Sequence, residues 1–510
     1  MSRWLVTLAL IVFVLIGVAP VVVMLARIDG ADMAHAFQPR TLELLGRTFL
    51  LGFASATIAL ILGVGFGFLV ARTRMPGARW MRAVGVMPLL FPPLILAVSW
   101  SAMTDVRGGW ATILVGAIGN FPLVSMYAAR AFERIDARRE EAAALVGGLR
   151  AVLRMELPLV LPSALCGACF AFCLAVNDFT VPDYVSSIGP KYNVYADEVF
   201  ASWRSTQDSG QAVASALPLI ALTLLALLPA LMLRRRSSLD VLDGDFRSPA
   251  PLALGVWRWP ALVFAVALLA VAVVAPLGRL FWEAGGGPRG FTITAFQAAF
   301  ARAMELGRSN LQSSLLFSTG AALACVPLAL ILGHALERAR VNALQLVVIM
   351  PLAVPAILFG IGNITLWNRP ATGALYDSPW MVILLMVGRF APIAILAVAA
   401  AVAMVDRRQE EATRLVGARP ARTLFQVLAP QLSGALFGAV TLVFVLAMRE
   451  IDAAIFVPAA NSTIMFRLYN AVHFGRDDFV AALALLVIFF VALPALCWTL
   501  LGRRRLEVLP

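Results

Sequence analysis

Residues 135–163 read IDARREEAAALVGGLRAVLRMELPLVLPS, and residues 405–434 read VDRRQEEATRLVGARPARTLFQVLAPQLSG. One pattern is stated twice. An acidic pair, Glu140 with Glu141 and Glu410 with Glu411, is followed six residues after its second member by a glycine, Gly147 or Gly417, and a proline closes each copy, Pro158 or Pro430. Negative charge is favoured in the first turn of a helix, where the backbone N–H dipoles point outward. The small residues that follow, Ala142 and Ala143 or Ala412, let another surface approach, and the glycine ends or bends the helix. Downstream arginines, Arg150 and Arg154 or Arg419 and Arg422, hold each segment out of a bilayer on its positive side. Two helix-turn-helix loops, 131–163 and 405–434, are therefore expected between membrane spans.

The rest of the chain supplies those spans. Of the 510 residues 61% are hydrophobic and only 14% charged, where a soluble domain carries about 25% charged. Runs of about 20 apolar residues cross about 30 Å of hydrocarbon. Twelve stretches qualify: near 4–26, 48–71, 84–104, 110–130, 163–183 and 212–233, then near 258–278, 314–336, 344–367, 379–404, 433–455 and 480–501. The apolar run after Arg3 is longer than the core of a signal peptide and reads as the first span. Arg72, Arg74, Arg79 and Arg82, and the runs Arg234–Arg236 and Arg503–Arg505, fall on the side of the two Glu-Ala loops, whereas loop 184–211 holds Asp197, Glu198 and Asp208. The positive-inside rule then places both termini in the cytoplasm. A net charge of +12 is explained by these short loops and calls for no nucleic acid.

The two halves repeat. The polar stretch 237–256, with Asp240, Asp243 and Asp245, separates residues 1–236 from 257–510, and Arg72-Thr73-Arg74 answers Arg338-Ala339-Arg340. Met87-Pro88-Leu89 with Pro92 answers Met350-Pro351-Leu352 with Pro355, and Asn177-Asp178 answers Arg449-Glu450. Equal span counts in one orientation make a parallel repeat about an axis along the membrane normal. The expected fold is an all-α polytopic membrane protein, two parallel six-helix repeats with the pathway on their axis.

Few residues inside the spans carry chemistry. Prolines at 88, 92 and 93, and at 351 and 355, break the third span of each half and expose carbonyls that need a neighbour or a wet cavity, so Pro92 and Pro355 are candidate hinges beside bends made only for packing. Arg389 lies mid-span, and a charge there asks for a partner. Asp178 and Glu450, at equivalent ends of the fifth spans, are the candidate partners, and the three are assigned to the pathway or its outer gate, beside the reading in which the two acids are interfacial residues that only reach the headgroups. Cys166, Cys169 and Cys173 share a helical face, which suits packing between helices better than a metal. His35, His334 and His473 are scattered, and no metal cluster emerges. The only lysine, Lys191, follows Pro190, so no phosphate-binding Gly-Lys-Ser/Thr motif exists and no ATP is hydrolysed by this chain.

At Glu141-Ala142-Ala143 with Gly147 and Leu157-Pro158, and less closely at Glu411-Ala412-Thr413 with Gly417 and Ala429-Pro430, the sequence resembles the inner-membrane permease subunits of ABC importers served by a periplasmic binding protein. The resemblance covers residues 44–235 and 310–505 and implies the permease (MetI-like) fold. It also implies that the Glu-Ala loops are coupling helices seated in two ATPase subunits, a role falling on Glu140, Glu141, Ala142, Ala143, Gly147, Glu410, Glu411, Ala412 and Gly417. ATP and Mg would sit on those partners, with no cofactor on this chain, and a solute-binding protein would deliver the cargo. The stretches NDFTVPDY and REIDAAIFVP look most like ferric iron permeases; thiamine, polyamine and phosphonate importers share the fold. A twelve-span ion-coupled transporter with two parallel halves is the rival class, although it has no need of paired Glu-Ala loops.

Overall fold

Apolar runs bounded by arginine are helices in the computed structural model, which describes residues 3–29, 38–206, 209–237, 247–287, 290–339, 341–456, 461–475 and 477–501. The one strand-like pairing among them is a parallel bridge between Thr73 and Leu252. Eight helices are long and apolar enough to span a bilayer, and three bent pairs raise the number to eleven. The expected stretch 212–233 lies on the helix Ser209–Ser237, whose apolar part, Val213–Pro229, is too short to count. The protein is thus an all-helical, multi-pass membrane protein with eight to eleven candidate spans among the described residues, against the twelve expected.

Proline chemistry makes the bends. Ala78–Leu90 meets Pro93–Met103 at 97°, and Asn342–Ala353 meets Ala356–Trp367 at 101°. A residue before proline is pushed out of the helical region, and Phe91 (ψ 128°) and Pro92 (ψ 135°) are both extended, as are Val354 (ψ 129°) and Pro355 (ψ 144°). Two consecutive extended residues turn the chain through a right angle. A third pair, Pro420–Gln431 with Ser433–Met448, bends by 80°.

One helix is far longer than its span. Ile293–Ala339 runs 47 residues, about 70 Å at 1.5 Å per residue, although only 314–336 is apolar enough to be expected in a membrane. Its first half, rich in alanine and free of proline, has nothing to stop it. Asn310 there donates to Ser462 Oγ (2.6 Å), Ser314 Oγ accepts from the Ile464 N–H (2.8 Å), and Arg302 pairs with Asp478 (3.0 Å).

Contacts divide the chain into two compact units: residues 1–37, 199–217 and 284–510, and residues 38–198 and 218–283. The sequence repeat and the compact unit are therefore different things, because the first span of each half packs with the other half's helices. In the first unit the span Trp4–Leu25 presses its backbone onto two glycines. A Cβ at Gly362 would lie 2.6 Å from the Pro20 carbonyl oxygen, and one at Gly388 would collide with the Ile16 carbonyl. In the second unit Phe264, from the span Gly255–Gly285, lies against Gly65.

Candidate functional site

Both Glu-Ala loops are helix-turn-helix segments, each begun by an aspartate ahead of the acidic pair. Asp136 Oδ1 accepts from the Arg138 N–H at 2.8 Å, and Asp406 Oδ1 from the Arg408 N–H at 2.9 Å. Aspartate before a helical run is a capping signal legible in both copies. The first helix breaks at Gly147 and Gly148, the latter at φ 58°, ψ −151°, and the second, Arg407–Leu415, ends before Gly417 at φ 72°. Those are conformations that glycine adopts at no steric cost.

The acidic pair is divided between two jobs. Glu141, Glu411, Ala142 and Ala412 are exposed and Ala143 is half-buried, whereas Glu140 and Glu410 turn inward. The helix tips are apolar yet open: Leu145 and Val146 are each 89% exposed, Leu415 89% and Val416 82%. Such tips on a charged loop are uncovered hydrophobic surface.

Inward, each first glutamate meets the arginine that ends a long helix. Arg72 is 1% exposed; its Nη2 reaches Glu140 Oε2 at 2.8 Å and Glu156 Oε1 at 2.7 Å, and its Nη1 donates to the Ala250 carbonyl at 3.0 Å. It is a buried tie between two carboxylates, not the loop charge expected from orientation alone. In the other copy Arg338 Nε donates to Glu410 Oε1 at 2.7 Å and Nη2 to the Val405 carbonyl at 2.8 Å. His334 Nε2 lies 3.0 Å from Glu410 Oε2, and since an ionised carboxylate only accepts, the ring donates. Burial pushes the Glu410 carboxyl upward, but the hydrogen bonds and charges of His334 and Arg338 outweigh it and hold it below the ordinary glutamate value. Arg72 and Arg338 stood out in the sequence as a repeat; Glu156 and His334 occur in one copy each, so no repeat betrayed them.

At the ends of the fifth spans, Arg389 Nε donates to Glu450 Oε2 at 3.2 Å, while Glu450 Oε1 accepts from the Ala453 N–H at 2.9 Å. Of the two acids offered as partners for Arg389, it is Glu450 that it meets. Asp178 holds the matching place differently, accepting from the Thr180 N–H at 3.0 Å and the Thr180 hydroxyl at 2.8 Å. Pro92 and Pro355 sit at the two right-angle bends. Cys166 and Cys173 are buried and Cys169 half-buried, all as free thiols. Among the described residues no group of three or more metal-ligating side chains converges; His473, which is exposed, donates to the Tyr469 carbonyl, and His35 lies outside them. Near Asp178, Asp197 is half-buried, and desolvation chiefly, with Asp183, Asp178 and Glu198 adding repulsion, pushes its carboxyl up to about 7 against the bond from the Val194 N–H.

Residues 325–506 match the family model of the binding-protein-dependent transport system inner membrane component. Components of this family are transmembrane permeases without a catalytic site of their own. The chain is 30% identical over 112 residues to the Fe(3+)-transport system permease protein FbpB 2 of Haemophilus influenzae, covering 22% of each protein. It is 28% identical over 136 residues to the molybdenum transport system permease protein ModB of Escherichia coli (23% of this chain, 59% of that protein). To the spermidine/putrescine transport system permease protein PotC of Haemophilus influenzae it is 26% identical over 157 residues (30% of this chain, 60% of that protein). The matches span less than two thirds of the length of each of these relatives.

Proposed function

We propose, starting from the inner membrane permease component formed by residues 325–506, that the whole chain is the transmembrane part of an ATP-driven importer, two permease units fused as residues 1–236 and 257–510. In this reading the chain makes twelve spans, both termini lie in the cytoplasm, and the loops 131–163 and 405–434 are coupling helices. Their occupants are two copies of an ATP-binding subunit carrying ATP and Mg, and a periplasmic solute-binding protein docks on the opposite face. The observation that carries the reading is the pair of exposed apolar tips, Leu145-Val146 and Leu415-Val416, each presented by a capped helix whose inner glutamate is anchored on the arginine at the end of a long helix, Arg72 buried and Arg338 half-buried. A rigid polar helix with an apolar tip is the shape that fills a pocket on a partner.

The mechanism follows from rigid-body coupling. ATP binds the closed ATPase dimer more tightly than the open one, and that difference is the bias. Closure draws the anchored loops together and moves the helices behind Arg72 and Arg338 as units, so access switches from one face to the other. The bends at Pro92 and Pro355 and the Arg389–Glu450 pair, with Asp178 in the matching place, are assigned to the pathway or its gate.

The test is copurification. Solubilised wild-type protein is expected to bring an ATP-binding subunit with it, and Leu145→Asp with Leu415→Asp to lose it while remaining folded. Wild-type protein that brings no such subunit under mild conditions would favour the ion-coupled transporter. For the solute, ferric iron is supported by the NDFTVPDY and REIDAAIFVP stretches and by the likeness to an Fe(3+)-transport permease. Competing uptake of radioactive ferric iron, molybdate, putrescine, thiamine and a phosphonate by whole cells separates it from its rivals.

A further inference from the structure

The two loops are fastened by different means, and the difference lies in the linker. Residues 247–252 run alongside the end of the helix Pro39–Arg72 and form the Thr73–Leu252 bridge. The Leu252 N–H donates to the Arg72 carbonyl at 2.6 Å, the Arg74 N–H to the Leu252 carbonyl at 3.0 Å, and Arg74 Nε to the Pro251 carbonyl at 3.1 Å. The Ala250 carbonyl takes the buried Arg72 guanidinium. At its other end the same segment reaches the first loop helix: the Ala137 N–H, an otherwise orphaned donor of the first turn, donates to the Arg247 carbonyl at 2.9 Å, and the Arg247 side chain pairs with Glu141. In the second half the Arg338 carbonyl receives the Arg407 side chain, at 3.4 Å. Backbone ties at both ends hold the first loop; among the described residues the ties shown for the second are made by the Arg338, His334 and Arg407 side chains.

We infer that residues 247–252 are a strap that positions the first loop helix on the end of the helix Pro39–Arg72, with Arg247 as a positioning residue. Building on the importer reading, the strap places the linker in the path of coupling. It leads directly into the span Gly255–Gly285, so a displacement of the first loop is handed along the backbone to that span. No such route leaves the second loop among the described residues. The first coupling helix of the fused chain is thus tied by backbone bonds to a span.

The experiment is hydrogen exchange on the full chain, alone and with the ATP-binding subunit that copurifies with it. Leu252→Pro removes the donor to the Arg72 carbonyl while keeping an extended backbone. It is expected to speed exchange of residues 137–146 about tenfold, the worth of one or two backbone hydrogen bonds, and to leave residues 407–415 unchanged. Arg247→Glu should give a smaller rise that the exchanged pair, Arg247→Glu with Glu141→Arg, restores; a merely structural perturbation would not be rescued by reversal. In the assembled complex Leu252→Pro should lower uptake per ATP hydrolysed with the same amount of ATP-binding subunit bound. Unchanged exchange at 137–146, or an equal rise at 407–415, overturns the strap. If no ATP-binding subunit copurifies with wild type, the importer reading falls on its own, while exchange in the isolated chain still decides the strap.

Discussion

Arg72 and Glu410 show how a single buried charge fastens a polar loop to a membrane helix. Removing one partner of a buried pair leaves the other uncompensated, at about 3–5 kcal/mol. Arg72→Met, which abandons Glu140 and Glu156 together, and Glu410→Ala, which abandons Arg338 and His334, are both expected to destabilise by that order, read as a fall in melting temperature of the purified protein. Because the Glu410 carboxyl is held below 4.5 in the folded chain, its contribution is complete above that value. It is lost only as pH falls through the lower folded value, so protease resistance of 405–434 should be flat across neutral pH and drop in acid. Asp197 runs the other way. Its folded carboxyl titrates at about 7 against an ordinary 3.8, so as pH rises between these values the unfolded segment gives up a proton that the folded one retains, and stability falls. Asp197→Asn should therefore slow hydrogen exchange in residues 195–206 at pH 7.5 and leave it unchanged below about pH 4.

At the scale of elements, caps and glycines set where the loop helices begin and end. Asp136→Ala or Asp406→Ala should each cost about 1 kcal/mol of local stability, visible as faster exchange in the first turn of that loop alone. Gly148→Ala forces a side chain into a backbone conformation that is essentially reserved for glycine and should cost about 1–3 kcal/mol. It should also misdirect the tip at Leu145-Val146, so that copurification of an ATP-binding subunit falls although Glu140 and Arg72 are intact. The bent third spans follow the same logic: Pro92 and Pro355 remove donors and force extended neighbours, and the right angles are the geometric result.

At the scale of the molecule, the span Trp4–Leu25 belongs to the compact unit that contains residues 284–510. Its carbonyls at Ile16 and Pro20 lie where a side chain on Gly388 or Gly362 would stand. Gly362→Val should expel that span, with loss of assembly detected by size-exclusion chromatography in detergent. Residues 284–510 expressed alone should aggregate, and co-expression of residues 1–37 should recover more monodisperse protein. A chain whose halves each packed their own first span would show no such rescue.

Sequence alone determined that this is a polytopic helical membrane protein, that its Glu-Ala loops are paired, and that glycine ends each loop helix. Those properties depend on local composition, period and backbone preference, which a chain carries whatever surrounds it. The Arg389–Glu450 pair was nearly legible too, since a charge in hydrocarbon must find a partner and the chain offers few. Tertiary structure decided the rest: that Glu140 and Glu410 turn inward as ties, that Glu156 and His334 complete them, that the linker straps one loop, and that the first spans are exchanged. Each of these joins residues more than 60 positions apart through burial or a backbone carbonyl. Main-chain acceptors are the same at every residue, so no side-chain pattern marks which of them will be used.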